Sequence, residues 1–316
     1  MASTRRAPST QPLAVSAARA TRRKIRPLPY LLLLPSLFLV SVLLLWPTLD
    51  AIIMSFHNWD LFGNVKEHYF LGLRNYRNLF DNPAVPQSLI TTAVFTVVSI
   101  ALEFLIGLCA ALLVHPAFPG RRAARTILLV PWAIPFVPWS LALMLFYQRD
   151  LGILNQWLID LNVVSGPVDW LGGFGTALPT IIATRVWKSF PFVAVMVLAG
   201  LQTIPDEYYE AAHIDGAANW QQFLHITLPL LRPVILASTL LLVIWHLKDF
   251  ALVYVMTGGG PGGTTMLFVL FVWKSAFETF RFGEAAAAAV VLLAIGTVFS
   301  ILYVRLLTSK SQGDLS

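Results

Sequence analysis

Charged side chains set in strongly apolar surroundings are the residues of this 316-residue chain best placed to do chemistry. Arg185 and Lys188 fall in the apolar stretch 176–203, Lys248 and Asp249 in 230–256, and Glu103 in 87–114. An ionised group in hydrocarbon is costly, so such residues usually face a cavity or a partner. Trp187, Trp245 and His246 stand beside them in sequence. Aromatic faces with hydrogen-bonding neighbours suit a sugar ring. The two bases Arg185 and Lys188 also suit an anionic ligand such as a phosphorylated polyol. At 1.5 Å per helical residue, Arg185 and Lys188 lie about 14 to 18 Å from the outer end of their stretch. Lys248 and Asp249 lie about 10 to 12 Å from theirs, and Glu103 is deeper. A plainer reading stays open: the charges neutralise one another or snorkel, and Trp245 only packs.

A second segment, 204–229, is unusual for what it lacks. It holds four acids (Asp206, Glu207, Glu210, Asp215) and two histidines, with no lysine or arginine. It reads as two short helices around a turn. Pro205 suits a first helical position, and Asp206, Glu207 and Glu210 suit the positive end of the first helix. Gly216 suits a left-handed stop. In the second helix Ala217, Trp220, Phe223 and Leu224 recur at three and four residues, giving one apolar face before Pro229 opens the next span. The small Ala211 and Ala212 beside the Glu210 carboxylate permit close approach of a partner surface, although a solvated amphipathic connector has the same pattern.

These residues must be held by membrane helices. The chain is 57% hydrophobic and 12% charged, with mean hydropathy +0.71, more apolar surface than one soluble core buries. Apolar runs near 29–56, 87–114, 126–148, 176–203, 230–256 and 283–307 each approach the length of about 20 residues that crosses a bilayer. The predicted fold class is therefore all-α, a polytopic membrane protein with six transmembrane helices. Seven of the 22 basic residues (Arg5, Arg6, Arg19, Arg22, Arg23, Lys24, Arg26) precede the first run. With Arg121, Arg122 and Arg125 they place both termini in the cytoplasm, although Lys66, Arg74, Arg77 and Arg149 on the outer side dilute the asymmetry. The domain reading is a disordered basic tail over 1–28, a membrane domain over 29–309 and a C-terminal tail over 310–316. Pro131, Pro135 and Pro138 predict a bend. Gly107 with Ala111, Gly296 with Ser300 and the alanine-rich run Glu284 to Ala289 predict close helix approach.

The same composition narrows the function. The positive charge lies in membrane-flanking positions, which speaks against nucleic acid. The single cysteine, Cys109, excludes a disulfide framework or a cysteine metal site. No cluster with metal spacing, no nucleophile motif and no G-x-x-x-x-G-K-[ST] occurs, so neither an enzyme nor an ATPase is expected. Gly258 to Gly263 has no following lysine and reads as a flexible turn. A self-contained channel, or a proton-coupled carrier with Glu103 and Asp249 as relay, competes with a subunit of a larger transporter.

Glu210-Ala211-Ala212, then Gly216, then Ile226 and Leu228-Pro229, at this spacing, resembles the EAA signature of permease subunits of bacterial ABC importers. The stretches 70–76, 199–205 and 257–263 look like the maltose-type carbohydrate permeases. The resemblance implies the type I importer-permease (MetI-like) fold in the bacterial plasma (inner) membrane. It implies partners: a second permease, two cytoplasmic ABC ATPase subunits that bind ATP and Mg, and an extracytoplasmic solute-binding protein. It implies no cofactor in this chain, a carbohydrate substrate, and docking of the first loop helix on an ATPase through Glu210, Ala211, Ala212 and Gly216.

Overall fold

The computed structural model describes residues 28–59 and 69–313. The basic tail before Leu28, Lys66 and the last three residues of the C-terminal tail lie outside the described residues. The described residues divide into two compact units, one ending at Thr48 and one beginning at Leu49. In the first, α1 (Leu28–Val40) passes through a π turn (Ser41–Leu45) into the start of α2 (Trp46–Met54).

The second unit continues with α3 (Arg74–Asp81), α4 (Ala84–Val114), α5 (Arg121–Ala133), α6 (Phe136–Phe146), α7 (Ile153–Asp160) and α8 (Ala177–Leu201). Then come α9 (Asp206–Ile214), α10 (Asn219–Gln222), a π turn (Phe223–Thr227), α11 (Leu228–Leu247), α12 (Ala251–Met256), α13 (Phe268–Phe277) and α14 (Phe282–Gly313). Among the described residues the chain is all-α, with one isolated bridge between His57 and Phe70. Five helices are long and apolar enough to cross a membrane, and α5 with α6, bent by 91°, makes a sixth if counted as one span. The bend falls at Ile134, which is extended (ψ 133°) as a residue before proline tends to be.

Helix α8 is the central post. In its most apolar stretch 72% of residues are buried, against 22% to 28% for α4, α11 and α14. Its largest interface is with α4, and α5, α11 and α12 also pack on it. Gly107 permits the α4 contact: a Cβ there would sit 2.7 Å from Val193 Cβ. Two apolar clusters result. Phe95, Ile181, Val186, Leu252 and Met256 form one, and Ala111, Val193, Val197, Leu231 and Leu242 the other.

Several sequence expectations need revision. The second loop helix is not separate, because α10 runs through the π turn into α11 without interruption. Proline suits the first turn of a helix, but the π turn has already begun this one, so Pro229 sits in a continuing helix and does not open it. Pro205 is the residue before α9, extended at ψ 138°, and not its first helical position. The fifth span breaks after Leu247 and resumes at Ala251. Helix α14 extends to Gly313, past residue 309. The 257–263 turn is tied by hydrogen bonds from Thr265 to Gly260 and between the Thr257 and Thr265 hydroxyls.

Candidate functional site

Between the two apolar clusters lies a buried polar junction. Arg185 Nε, on α8, is 3.0 Å from Asp249 Oδ2 at the break in span five. It is also 4.0 Å from Glu103 Oε1 on α4. His246 Nε2, on α11, is 3.3 Å from the same Glu103 oxygen. His246 Nδ1 lies 2.7 Å from the Leu242 carbonyl, which only accepts, so Nδ1 carries the hydrogen. Glu103 and His246 are fully buried. Glu103, placed deeper by counting helical rise, is therefore level with the other charges. The break in span five turns Asp249 toward Arg185, whose charge offsets the buried carboxylates, and His246 Nε2 accepts the Arg185 Nε hydrogen at 3.4 Å.

Lys188 has a different assignment. Its ammonium, on a side chain buried to 2% exposure, donates to the carbonyls of Pro131 at 3.2 Å and of Ile134. Those carbonyls are orphans of the bend. The intrahelical donor to Pro131 O would be the N–H of residue 135, and Pro135 has none. Ile134 is extended and outside both helices. Pro138 stands in the first turn of α6, where a missing N–H costs nothing. The ammonium also lies 4.7 Å from the Phe136 ring centroid and 5.8 Å from that of Trp139. One lysine of α8 thus closes the hydrogen-bond deficit of a broken span.

This junction forms one wall of a cavity of about 570 Å³ lined by residues of the bend, of α8 and of the break in span five. Arg185, Lys188, Trp245, Lys248 and Asp249 line it, joined by Trp132, Phe136, Ser189 and Phe250. Phe192 bridges Trp132 and Trp245, at ring separations of 6.4 and 4.8 Å, so the three form an aromatic shelf. Two sequence candidates are not among the lining residues. Trp187 is 55% exposed and packs on Phe190, and His246 lies behind Arg185 in the junction. Sequence reasoning missed Trp132, Phe136 and Phe250; for the first two the available signal was their place between the bend prolines.

At the other end of the spans, α9 stops in a Schellman geometry. The Ala217 N–H donates to Ala212 O at 2.9 Å and the Gly216 N–H to His213 O at 3.1 Å. Gly216 has φ +77°, a conformation glycine adopts without a Cβ penalty. Glu210 and Ala211 are exposed and Ala212 is half-buried. Tyr208, Ile214, Trp220 and Leu224 are exposed apolar side chains on this helix pair. Tyr209 points inward: its hydroxyl is 3.0 Å from Thr227 Oγ1 in the π turn, and its ring packs with Ile226 on the second apolar cluster. Leu228 and Pro229, where the π turn passes into α11, line an apolar groove shared with Arg232. Nearby, Arg121 and Arg125 cap α4 by donating to Val114 O. Burial, then the charges of Arg121 and Arg125, hold the adjacent His115 below its ordinary pKa, opposed by Asp206.

Comparison with known proteins places this architecture. A profile for the binding-protein-dependent transport system inner membrane component matches residues 103–311. The trehalose/maltose transport system permease protein MalF of Thermococcus litoralis is 37% identical over 88% of this chain and 92% of its own. The sulfoquinovosyl glycerol transport system permease protein SmoG of Agrobacterium fabrum is 33% identical over 90% and 92%. A crystal structure of a bacterial ABC transporter involved in import of the acidic polysaccharide alginate superposes with TM-score 0.77, at 21% identity, over 88% of this chain and 94% of its own; this likeness concerns the fold. The 37% relative spans both the bend and the α9 loop, and with the profile match it settles the matter: the chain belongs to the binding-protein-dependent transport system inner membrane components, the multi-pass, non-enzymatic permease subunits of ABC importers.

Proposed function

We propose that this subunit forms one side of the translocation pathway of an ATP-driven carbohydrate importer and receives the ATPase stroke through α9. The observation that carries the substrate class is the aromatic shelf of Trp132, Phe192 and Trp245 beside a cavity with a few polar groups, which suits the apolar faces and hydroxyls of a sugar. Relatives named for trehalose/maltose and sulfoquinovosyl glycerol transport point the same way. A second permease would complete the cavity. A solute-binding protein would deliver the sugar from outside, and two ATPase subunits would hold ATP and Mg.

The geometry of the α9 loop supports the coupling role. Exposed Glu210, Ala211 and Gly216 and the apolar side chains around them offer a docking face for the ATPase. Displacement of α9 reaches the spans through the Tyr209–Thr227 contact and the continuous helix beyond it. Inward- and outward-facing states then differ in how α8, α11 and the bend enclose the cavity. The phosphorylated polyol and the self-contained carrier are not favoured by the relatives.

The test is Glu210→Lys in the assembled complex. It is expected to weaken ATPase association and abolish ATP-dependent sugar uptake. Normal uptake by a fully assembled variant complex refutes Glu210 as a coupling residue.

A further inference from the structure

We infer that the carbohydrate this cavity accepts is an acidic one, its anionic group lying against Lys248; the inference rests on the carbohydrate reading above and deepens it. The argument is a charge balance. Three cationic side chains and one carboxylate line the cavity. Arg185 and Asp249 cancel, since they pair at 3.0 Å, and Glu103 stands behind them. Lys188 is recessed, with two of its three hydrogens directed to Pro131 and Ile134. Its partners are carbonyl dipoles and ring faces, which hold an ammonium without cancelling its charge. Lys248 is exposed to the cavity at the C-terminus of α11, a position that favours a cation. Among the described residues no carboxylate pairs with either lysine.

Set against Asp249 and the Glu103 carboxylate behind it, the three cations leave one positive charge, carried by the accessible Lys248, beside walls of Trp132, Phe136, Trp245 and Phe250. Such walls lower the local dielectric and lengthen the reach of each charge. A neutral sugar leaves that field uncompensated when it displaces water, whereas an acidic sugar brings the missing charge with it. The accessible ammonium of Lys248 makes the contact, and the recessed Lys188 supplies a fixed field behind it. Lysine rather than arginine suits a site that must release its cargo, because a single flexible ammonium binds without a bidentate clamp.

Methyl β-D-glucoside and methyl β-D-glucuronide share a ring and differ by one carboxylate, so they isolate the charge. Each is titrated into the purified permease–ATPase complex without solute-binding protein, reading the fluorescence of Trp132 and Trp245. The expected result is glucuronide binding tighter by about tenfold or more, a preference that shrinks with added salt. Lys248→Gln should bring the ratio close to one, and Lys248→Arg should keep it. Equal affinities in the unmodified complex overturn the inference, as does a preference that survives Lys248→Gln, and both leave the carbohydrate reading standing. Absence of binding by either probe removes the carbohydrate reading of the cavity, and the inference with it.

Discussion

Replacing Lys188 by methionine keeps the length and apolar stem of the side chain and deletes the ammonium that serves the bend. Two carbonyls, of Pro131 and Ile134, lose their donor. Leaving a buried acceptor unpaired costs about 1 to 3 kcal/mol each. The cavity beside these carbonyls admits water, which favours the low end, and the variant no longer buries an ammonium. The net loss is therefore on the order of 2 kcal/mol. At about 2 to 4 °C per kcal/mol for a chain of this size, the melting temperature should fall by about 4 to 8 °C. Thermal unfolding of the detergent-solubilised complex, followed by size-exclusion chromatography after heating, measures this. Lys188→Arg, which keeps charged donors, should recover part of the loss. A Lys188→Met complex that melts within about 1 °C of the parent would refute the claim that this lysine satisfies the broken span.

Three further outcomes follow from the same geometry. Tyr209→Phe removes one hydrogen bond to Thr227, worth about 1 kcal/mol; the complex should assemble, and sugar transported per ATP hydrolysed should drop, as measured in proteoliposomes. Gly107→Leu forces a side chain where even a Cβ meets Val193 at 2.7 Å; the overpacking should cost about 1 to 3 kcal/mol and lower the yield of folded complex. His115 is held below its ordinary 6.5, so the unfolded chain takes up its proton first as pH falls. Stability should therefore be lost as pH drops below 6.5, and melting curves of His115→Gln should show a flatter pH dependence there.

Features with a local cause were legible in the sequence. Proline spacing located the bend, because a missing N–H acts within one turn. Gly107 announced close approach, and Gly216 a left-handed stop, because both depend on the absence of one Cβ. Features set by tertiary geometry were not legible. The apolar residues on either side of Lys248 and Asp249 read as one span carrying two charges, so the sequence did not show that these charges mark the interruption that lets Asp249 meet Arg185. Counting residues from a span end assumes untilted helices with known ends, which is why Glu103 came out too deep. Trp187 adjoins Lys188 in sequence, yet successive helical residues point about 100° apart, whereas Arg185 and Lys188, three apart, share a face. Adjacency in sequence therefore nominated Trp187 and His246, while the lining aromatics Trp132 and Phe136 came from a different span.

The central claim is that this permease moves sugar only when an ATPase acts on α9. Reconstitute the chain with its copurified partners in liposomes and measure uptake of a labelled acidic carbohydrate, with the copurified solute-binding protein outside and ATP inside. The account predicts uptake that requires ATP and disappears in Glu210→Lys. Uptake by the chain alone, driven by an ion gradient and indifferent to ATP, would contradict it.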